Sequence, residues 1–421
     1  MDKLVIEGGV PLRGEVLTSG AKNAALPIMA ATLLTTDECV IENIPLVEDV
    51  RTMAEILRRL GCRVDLDCAG HRVIVQAPER DRLQTNVAPD LARKMRASFL
   101  TTGPLLARAG NVTAPHPGGC SIGRRPVNVD IKSFSAMGAR VELADDQYCL
   151  HADRLRGERI YLDYPSHTGT ENILLAATLA EGTTLIKHAS VEPEVADLAL
   201  CLEQMGAKIH GIGSPYLEIQ GVERLHGVHY RIAPDRLEAG TFAIAAAITG
   251  GDVLIHDIVP DHMDPLTHKL IEAGAIVQTE GRCYRVRSNG HLHALELQTL
   301  HFPGFPTDLQ AAFATLLTQA TGTSLIHERV FDDRLQYARE LQKLGADIRV
   351  EGHTATIVGP TPLEGVPVRA LDIRCAAALV LAGLAAHGCT EIFDIYHIDR
   401  GYENVDGKLR SLGARIERVA A

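Results

Sequence analysis

The pattern of apolar and polar positions repeats six times along the chain. In each copy an amphipathic stretch ends at a glycine and continues into a strand-like run: LRRLGCRV, FSAMGARV, CLEQMGAKI, LIEAGAIV, LQKLGADI and LRSLGARI. The glycines are separated by 77, 68, 68, 71 and 68 residues, and they are Gly61, Gly138, Gly206, Gly274, Gly345 and Gly413. A glycine after a helix commonly adopts the left-handed conformation that ends it. The spacing therefore predicts six copies of one helix–glycine–strand unit.

An alanine-rich stretch precedes each glycine and forms the second element of the repeat. These stretches are AALPIMAATLL, ASFLTTGPLLARA, ILLAATLA, TFAIAAAIT, LQAAFATLLTQA and CAAALVLAGLAA. They are apolar around most of their circumference, which is typical of helices buried on all sides. A turn and a β-branched run, such as GDVLIHDI, follow each of them. Each unit therefore reads as buried helix, strand, outer helix and strand.

The length of 421 residues allows two or three domains, and six repeats divide naturally into two sets of three. We therefore predict an α/β protein with two domains. The first three-repeat domain is placed at 22–231, and the second is formed by 1–21 together with 232–421.

Composition excludes several classes of protein. The net charge of -11 argues against general attraction to nucleic acid or to an anionic membrane. The nine cysteines are scattered and never spaced as CxxC, which argues against a disulfide framework and a structural zinc site. The start, MDKLVIEGG, lacks the apolar core of a signal peptide, and the longest apolar runs fall short of a spanning helix. We expect a cytoplasmic protein without membrane insertion.

Polar and charged residues stand at the start of the buried helices, at equivalent positions of the repeat. They are Lys22 and Asn23, Arg96, Ser166 with His167 and Thr170, Asp235 with Arg236, Asp308, and Arg374. For the Ser, Thr, Asn and Asp residues, helix capping is about as probable as ligand binding. A cation is unfavourable at a helix amino end unless an anion is bound there. Lys22, Arg96 and Arg374 therefore predict an anionic substrate.

The connection in the second repeat, APHPGGCSIGRRPVNVD, is the longest of the six. Two glycines beside Cys120 allow close approach of the backbone to a ligand, and Arg124 and Arg125 would favour the thiolate. A cysteine in a loop often has no function. From Cys120 alone, an incidental cysteine and a reactive cysteine are both acceptable interpretations. Arg334 and Arg400 occupy the corresponding connections of the fifth and sixth repeats; either a surface ion pair or a basic pocket would explain them.

Other candidate sites are weaker. His291 with His293, and His256 with His262 and Asp264, match no named metal spacing, and surface loops explain them better. The stretch GAKNAA lacks the spacing of a P-loop, and no GxGxxG follows a strand. No metal site or cofactor is predicted.

Seven motifs, spread in order over essentially the whole chain, closely resemble the UDP-N-acetylglucosamine enolpyruvyl transferase family. They are SGAKNAALP, KMRAS, PGGCSIGRRPV, EPEVAD, PDRLEAGTF, FPTDLQ and YHIDRGYE. The resemblance implies a two-domain inside-out α/β barrel, the enolpyruvyl transferase fold. It has six repeated βα units, three per domain, with inner helices surrounded by sheets. The active site would lie in the cleft between the domains.

The resemblance also implies the reaction. Enolpyruvate would pass from phosphoenolpyruvate to the 3′-hydroxyl of UDP-N-acetylglucosamine by addition and elimination, with release of phosphate and without metal or cofactor. This is the first committed step of peptidoglycan synthesis, and it ties the chain to cell wall biogenesis, cell shape and cell division.

Residue roles follow from the same resemblance. Lys22, Arg125 and Arg400 would hold the phosphate, while Arg334 and Arg374 would act near the carboxylate. Asp308 would be the general base. Cys120 would donate a proton, form a covalent adduct or assist product release, and it is the thiol that fosfomycin alkylates in this family. The nucleotide-sugar contacts would be Asn23, Arg96, Arg125, Pro126, Val127, Val129, Ser166, His167, Asp308 and Val330.

Two departures from the family pattern accompany this resemblance. The family usually reads SVGAT with a lysine two residues before the serine, whereas this chain reads YPSHTGTEN, which leaves the uridine contacts open. Cys375 follows Arg374 as a possible second thiol near the site. Transfer to another acceptor, such as shikimate 3-phosphate, and a catalytically silent paralogue are the alternatives; the sequence leaves the oligomeric state unknown.

Overall fold

The computed structural model describes residues 2–119 and 126–420, which form two compact units. The insert unit comprises 20–119 and 126–233, and the terminal unit comprises 2–19 and 234–420. Each unit has its own continuous apolar core. The chain therefore leaves the terminal unit after residue 19 and returns to it at residue 234.

Three inner helices lie in each unit, one from each repeat. Those of the insert unit are Lys22–Ala31, Thr102–Ala109 and His167–Ala177, the second preceded by the 3-10 helix Arg96–Thr101. Those of the terminal unit are Arg236–Ile248, Thr307–Leu317 and Ile373–Ala385. Every residue of Arg236–Ile248 is buried. The prediction of helices buried on all sides is confirmed.

The outer helices end at the six repeat glycines, as predicted. These helices are Glu48–Arg59, Asn128–Ala136, Pro193–Gln204, Pro260–Glu272, Tyr337–Lys343 and Val405–Ser411. The glycines have φ angles of 98°, 97°, 101°, 98°, 101° and 96°. In each copy the residue after the glycine donates its N–H to a carbonyl five residues back, as Cys62 does to Leu57 at 3.0 Å. This left-handed cap is what turns each outer helix into a strand.

Short helices occupy four of the connections. They are the 3-10 helices Thr32–Leu34 and Arg334–Gln336 and the α-helical turns Pro89–Ala92 and Tyr396–Asp399.

Three sheets enclose the inner helices of the insert unit. In order of pairing, the first contains His229–Arg231, Cys39–Glu42, Arg72–Gln76 and Arg63–Asp67. The second contains Asn111–Pro115, Gln147–His151 and Arg140–Ala144. The third contains Lys208–His210, Tyr216–Gln220, Thr183–Lys187 and Arg159–Tyr161.

The terminal unit repeats this plan with three sheets of its own. The first pairs Pro367–Arg369, Cys389–Phe393, Asp2–Glu7 and Arg415–Ala420. The second pairs Ile276–Glu280, Cys283–Arg287, Asp252–His256 and Arg13–Leu17. The third pairs Leu292–His293, Ala320–His327, Thr354–Gly359 and Asp347–Glu351, and Glu296–Gln298 joins Ala320–His327. Each inner helix of this unit packs on its own sheet.

One close approach explains a glycine inside an inner helix. A β-carbon at Gly103 would lie 2.5 Å from the backbone and side-chain oxygens of Asn172. Two inner helices of the insert unit therefore meet at a contact that only glycine permits.

Within the two described stretches of chain, no helix combines the length and apolarity needed to span a lipid bilayer.

Candidate active site

A carboxylate held between two arginines forms the centre of the candidate site in the terminal unit. Asp308 lies in the first turn of the fifth repeat's inner helix. Its Oδ1 accepts a hydrogen bond from Arg334 at 2.6 Å, and its Oδ2 accepts one from Arg374 at 2.8 Å. Both guanidinium groups are buried. The structure thus brings together three of the predicted site residues, and charge-assisted bonds of this kind are the strong ones in proteins.

Capping and binding can now be told apart at the helix starts. Asp235 caps its helix by accepting from Leu237 N at 2.7 Å and Glu238 N at 3.1 Å, and the Ser166 hydroxyl accepts from Gly169 N at 3.2 Å. Asp308 follows the N-cap position, which is Pro306. Its carboxylate is used by the arginines instead.

Tyr402 supports Arg374 from the other side and was missed by the sequence analysis. Arg374 donates to the Tyr402 hydroxyl at 3.0 Å, and this hydroxyl lies 2.9 Å from the Thr241 hydroxyl. Burial alone would lower the pKa of Arg374, but Asp308 and Tyr402 outweigh it and raise the pKa above its usual value. Arg374 therefore stays charged. The sequence did contain a signal for Tyr402, because this residue belongs to the YHIDRGYE motif.

Glu328 is a second missed residue and organises the segment beside Asp308. Its Oε1 accepts from Val330 N at 2.7 Å and Phe331 N at 3.1 Å, while its Oε2 accepts from the Thr307 hydroxyl at 2.9 Å. Glu328 is buried, so these bonds hold the predicted Val330 in a defined position. Nothing in the sequence distinguishes this glutamate from a surface residue.

Arg334 and Arg400 are buried, with 5% and 7% of their surface exposed, so neither is the surface ion-pair residue that was one of the two interpretations. Arg400 follows the short helix Tyr396–Asp399. Burial and the charge of Arg400 together lower the pKa of the neighbouring His397. Two buried cations at the ends of short helices in the connections favour the basic-pocket interpretation.

Two of the cations at helix starts pair with carboxylates of the chain itself. The Lys22 ammonium lies 3.1 Å from Asp49 Oδ2, and Asp49 comes from the first turn of the next outer helix. Arg374 is paired with Asp308. The premise that only a bound anion stabilises a cation there is wrong, because carboxylates of the chain supply negative charge. Lys22 and Arg374 remain candidates, but their position alone does not demonstrate an anionic ligand.

A buried amide joins three elements of the insert unit. The two N–H groups of Asn172 Nδ2 are shared among Asp130 Oδ1 at 2.7 Å, the Thr102 hydroxyl at 2.9 Å and the Phe99 carbonyl at 3.1 Å, and its Oδ1 accepts from Gly103 N at 2.8 Å. Burial raises the pKa of Asp130, while Asn172 oppositely favours its charged form. This network fixes the helix that carries the predicted Val129.

Arg96 and the segment after residue 125 lie together in the same unit. Arg96 donates to the Pro126 carbonyl at 3.0 Å, and Val127 and Val129 are buried. Burial lowers the pKa of Arg96, and Asp130 opposes that shift. Asn23, the second residue of the first inner helix, is half-buried.

His167 forms a pair with Glu171 one turn further along the same inner helix. The distance from His167 Nε2 to Glu171 Oε1 is 3.0 Å. Burial alone would lower the pKa of His167, but Glu171, Glu194 and Glu192 outweigh it and raise the pKa to about 9. Glu171 therefore favours the protonated form of His167, one of the residues that depart from the family pattern.

Three further predictions concern thiols, Arg125 and metal ligands. Cys120 and Arg125 lie outside the described residues. Cys375 is buried, and burial raises its pKa to about 12, so the suggestion of a second reactive thiol is not supported. Among residues 2–119 and 126–420 there is no group of three His, Cys, Asp or Glu side chains that would hold a metal ion.

Comparisons with known proteins agree along the whole chain. The sequence profile of EPSP synthase (3-phosphoshikimate 1-carboxyvinyltransferase) matches residues 6–409. UDP-N-acetylglucosamine 1-carboxyvinyltransferase 2 of Carboxydothermus hydrogenoformans is 48% identical over 423 residues, covering 100% of both chains. The UDP-N-acetylglucosamine 1-carboxyvinyltransferase of Nitratidesulfovibrio vulgaris is 47% identical over 420 residues, again covering 100% of both.

Solved structures share the fold. The enolpyruvyl transferase NikO from Streptomyces tendae superposes with a TM-score of 0.90 and 27% identity, covering 100% of this chain and 99% of its own. EPSP synthase from Acinetobacter baumannii gives a TM-score of 0.75 at 19% identity, with 100% of both chains covered, and shows the fold alone. The predicted fold class is confirmed.

Proposed function

We propose that this chain, which belongs to the family of UDP-N-acetylglucosamine 1-carboxyvinyltransferases, transfers enolpyruvate from phosphoenolpyruvate to the 3′-hydroxyl of UDP-N-acetylglucosamine with release of phosphate. The observation that carries the proposal is 48% identity, over the full length of both chains, to a protein of that name. The cluster of Asp308, Arg334 and Arg374 supports it, because it places a proton acceptor beside two anion-binding groups.

The donor is a small molecule with a phosphate and a carboxylate, and the proposal assigns cations to each. Lys22, Arg125 and Arg400 hold the phosphate, whereas Arg334 and Arg374 bind the carboxylate. Guanidinium groups suit this task because their planar donors match a carboxylate.

Asp308 acts as the general base, and binding of phosphoenolpyruvate makes one of its oxygens available for this role. Both oxygens of Asp308 accept hydrogen bonds from arginines. The incoming carboxylate competes for the same guanidinium donors and so frees an oxygen of Asp308 to accept the proton of the sugar hydroxyl. Binding of the donor is thereby coupled to the availability of the base.

The chemical step is an addition followed by an elimination. The sugar oxygen bonds to C2 of phosphoenolpyruvate while Asp308 takes its proton, and C3 receives a proton from Cys120. The resulting tetrahedral intermediate then returns a proton from C3 to the Cys120 thiolate, and the bond between C2 and the phosphate oxygen breaks, which releases phosphate and restores the double bond. Cys120 also forms the covalent adduct and is the site of alkylation by fosfomycin in this proposal.

The nucleotide sugar is assigned to Asn23, Arg96, Pro126, Val127, Val129, Ser166, His167 and Val330, with Arg125 and Asp308 shared between the substrates. His167 adds a cation at the helix that begins after Ser166, and diphosphate is the part of this substrate that a cation attracts. We further propose that the chain works in the cytoplasm in peptidoglycan synthesis, and hence in cell wall biogenesis and division.

The test is phosphate release from phosphoenolpyruvate with either UDP-N-acetylglucosamine or shikimate 3-phosphate as acceptor. Release with the nucleotide sugar is expected. Release with shikimate 3-phosphate alone would establish that this molecule is the acceptor. This second candidate is included because the EPSP synthase profile matches residues 6–409. No release with either acceptor would indicate a silent paralogue.

Two variants test the assigned role of the thiol. Cys120→Ala is expected to abolish nearly all turnover, whereas Cys120→Asp retains part of it, because a carboxylic acid can still donate a proton. Equal and near-normal rates for both variants would contradict the assignment.

A further inference from the structure

Three side chains with complementary chemistry lie in a row across adjacent strands of the terminal unit's second sheet. Cys283 Sγ is 3.4 Å from His256 Nδ1, and His256 Nε2 is 2.8 Å from Glu15 Oε2. The strands pair so that His256 lies directly opposite Cys283. Cys283 and His256 are half-buried and Glu15 is exposed, so solvent reaches the group.

The order of these groups fixes the proton positions. An ionised carboxylate only accepts hydrogen bonds, so the bond to Glu15 requires a proton on His256 Nε2. In the neutral imidazole, Nδ1 then carries the lone pair and faces the sulfur of Cys283. A thiol, a base and an acid that orients the base is the arrangement that activates nucleophilic cysteines.

Two neighbouring features support this interpretation. Arg282, which precedes Cys283, bonds Asp257 through Nε at 2.8 Å, so the adjacent opposite charges compensate each other. The two ring nitrogens of His256 point to opposite sides, so Cys283 and Glu15 cannot share one metal ion through the ring. His256 ends the strand Asp252–His256 within the predicted β-branched run GDVLIHDI, so the alternative interpretation of this histidine as a surface-loop residue is wrong.

We propose that Cys283 is a modification site, at which the thiol, deprotonated by His256 and supported by Glu15, exchanges with small-molecule disulfides. The Cys283 sulfur attacks one sulfur of the disulfide, forming a mixed disulfide and breaking the original sulfur–sulfur bond. His256 Nδ1 takes the thiol proton and passes it to the departing thiolate. One thiol is consumed and one is released, so the exchange balances without another reactant.

Other cysteines of the chain provide comparison. Burial raises the pKa of Cys39 to about 11 and that of Cys62 to about 12, so both remain thiols at neutral pH. Cys149 is half-buried on a strand like Cys283, and it receives a weak bond from the Thr113 hydroxyl at 3.9 Å. Cys149 is therefore the matched internal control.

The experiment exposes the full-length protein to oxidised glutathione at pH 7 and follows each cysteine by peptide mass spectrometry. Cys283 is expected to form the mixed disulfide about tenfold faster than Cys149, because His256 Nδ1 lies beside its sulfur and can take the thiol proton during the attack. His256→Asn should bring the Cys283 rate to within about threefold of the Cys149 rate, because the base is lost. Glu15 is exposed, so Glu15→Gln should not affect folding. The Cys283 rate in this variant should lie between the rates in the unmodified protein and in His256→Asn.

The Cys149 rate must stay the same in all variants, since a change would report a disturbed fold. Equal rates at Cys283 and Cys149 in the unmodified sequence would overturn the proposal. So would a fast Cys283 that neither His256→Asn nor Glu15→Gln slows. The readout is chemical and needs no turnover, so its outcome is independent of the proposed transferase activity.

Discussion

The two units share a scaffold but use the starts of their inner helices differently. In the terminal unit, Asp308 and Arg374 occupy equivalent repeat positions and bond each other. In the insert unit, two cations at the helix starts contact later segments of the same unit: Lys22 contacts Asp49, and Arg96 contacts the Pro126 carbonyl. The polar centre of the insert unit is instead the amide of Asn172, deeper among its helices.

The two polar centres are therefore expected to have different roles: the Asp308 cluster serves the reaction, and Asn172 serves the fold. A carboxylate between two guanidinium groups carries charge that an anionic ligand can rearrange. A neutral amide that joins helix termini has no such ligand to exchange with, and its bonds serve the fold. We therefore expect changes in the terminal unit's cluster to affect mainly activity, and changes around Asn172 to affect mainly stability.

The largest effect is expected for Asp308→Asn. The amide cannot act as a base, and it also leaves Arg334 and Arg374 without their shared carboxylate. The turnover number should fall by about 1,000-fold, within the range for loss of a general base. Phosphate release under saturating substrates measures this effect.

Asp252→Asn is the matched control, because Asp252 also pairs with an arginine, Arg285 at 2.7 Å, but on the exposed sheet surface. Its turnover should stay within about twofold of the unmodified rate, since exposed pairs contribute little. Similar losses in both variants would remove the distinction between the cluster and an ordinary ion pair.

Next in size is Asn172→Ala, which removes the hub of the insert unit. Buried partners on Asp130 and Gly103 lose their bonds, and the stability of this unit should fall by about 3 kcal/mol. Hydrogen exchange resolves the two units: protection should drop in Lys22–Ala31 and His167–Ala177 while Arg236–Ile248 is unchanged.

Thr315→Val provides the counterpart in the terminal unit. The Thr315 hydroxyl bonds the carbonyls of Ala311 at 3.1 Å and Ala378 at 3.3 Å, also between buried inner helices. Its loss should cost about 1 kcal/mol. If both variants weaken both units alike, the units do not unfold separately, and the assignment of stability to one unit is wrong.

A smaller effect is expected for Tyr402→Phe, which removes the hydroxyl that Arg374 bonds. An unpaired buried guanidinium N–H disfavours the arrangement by about 1–2 kcal/mol, so kcat/KM for phosphoenolpyruvate should fall about tenfold. Tyr284→Phe is the control, because Tyr284 is equally buried and its hydroxyl bonds Thr267 at 2.7 Å. A loss of activity in the control as large as that in Tyr402→Phe would show that packing, not Arg374, is responsible.

The smallest effect concerns the pH dependence of stability through His167. Folding raises the pKa of His167 from 6.5 to about 9, so its protonated form stabilises the folded state. This contribution is complete below pH 6.5 and is lost as pH rises through 9. The unfolding free energy should therefore fall by about 1 kcal/mol more in the unmodified protein than in His167→Gln over that interval, a value reduced for partial exposure. Identical pH slopes in urea titrations would contradict it.

Much of the fold was predictable because the repeat left regular marks in the sequence. Gly61 and Gly413 signalled helix ends directly, since a left-handed backbone favours glycine. The alanine-rich stretches predicted the inner helices because each stretch is apolar around most of its helical circumference, which can be seen without knowing its partners. Short 3-10 segments such as Arg334–Gln336 were not foreseen, because their conformation depends on tertiary contacts.

Site residues could be predicted only where a motif or a repeat position marks them in the sequence. Asp308 and Arg374 were identified from their positions at helix starts, and Arg334 from its connection in the fifth repeat. The resemblance supplied their roles, and the structure shows their mutual bonds. Glu328 was missed because its importance comes from burial and from bonds to the neighbouring backbone. Asn172 was missed because its partners lie far along the chain. The pairing of Lys22 with Asp49 was missed for the same reason, and it corrected the argument from helix ends.

The first strand of the chain carries a consequence for biosynthesis. Asp2–Glu7 lies between Cys389–Phe393 and Arg415–Ala420, so its sheet joins the earliest and the latest residues described. On the ribosome, residues 20–233 emerge and can complete the insert unit while that opening strand still lacks both of its neighbours. The nascent terminal unit must therefore keep Leu4 and Ile6, the two core residues of this strand, without their strand partners until Arg415–Ala420 has been synthesised.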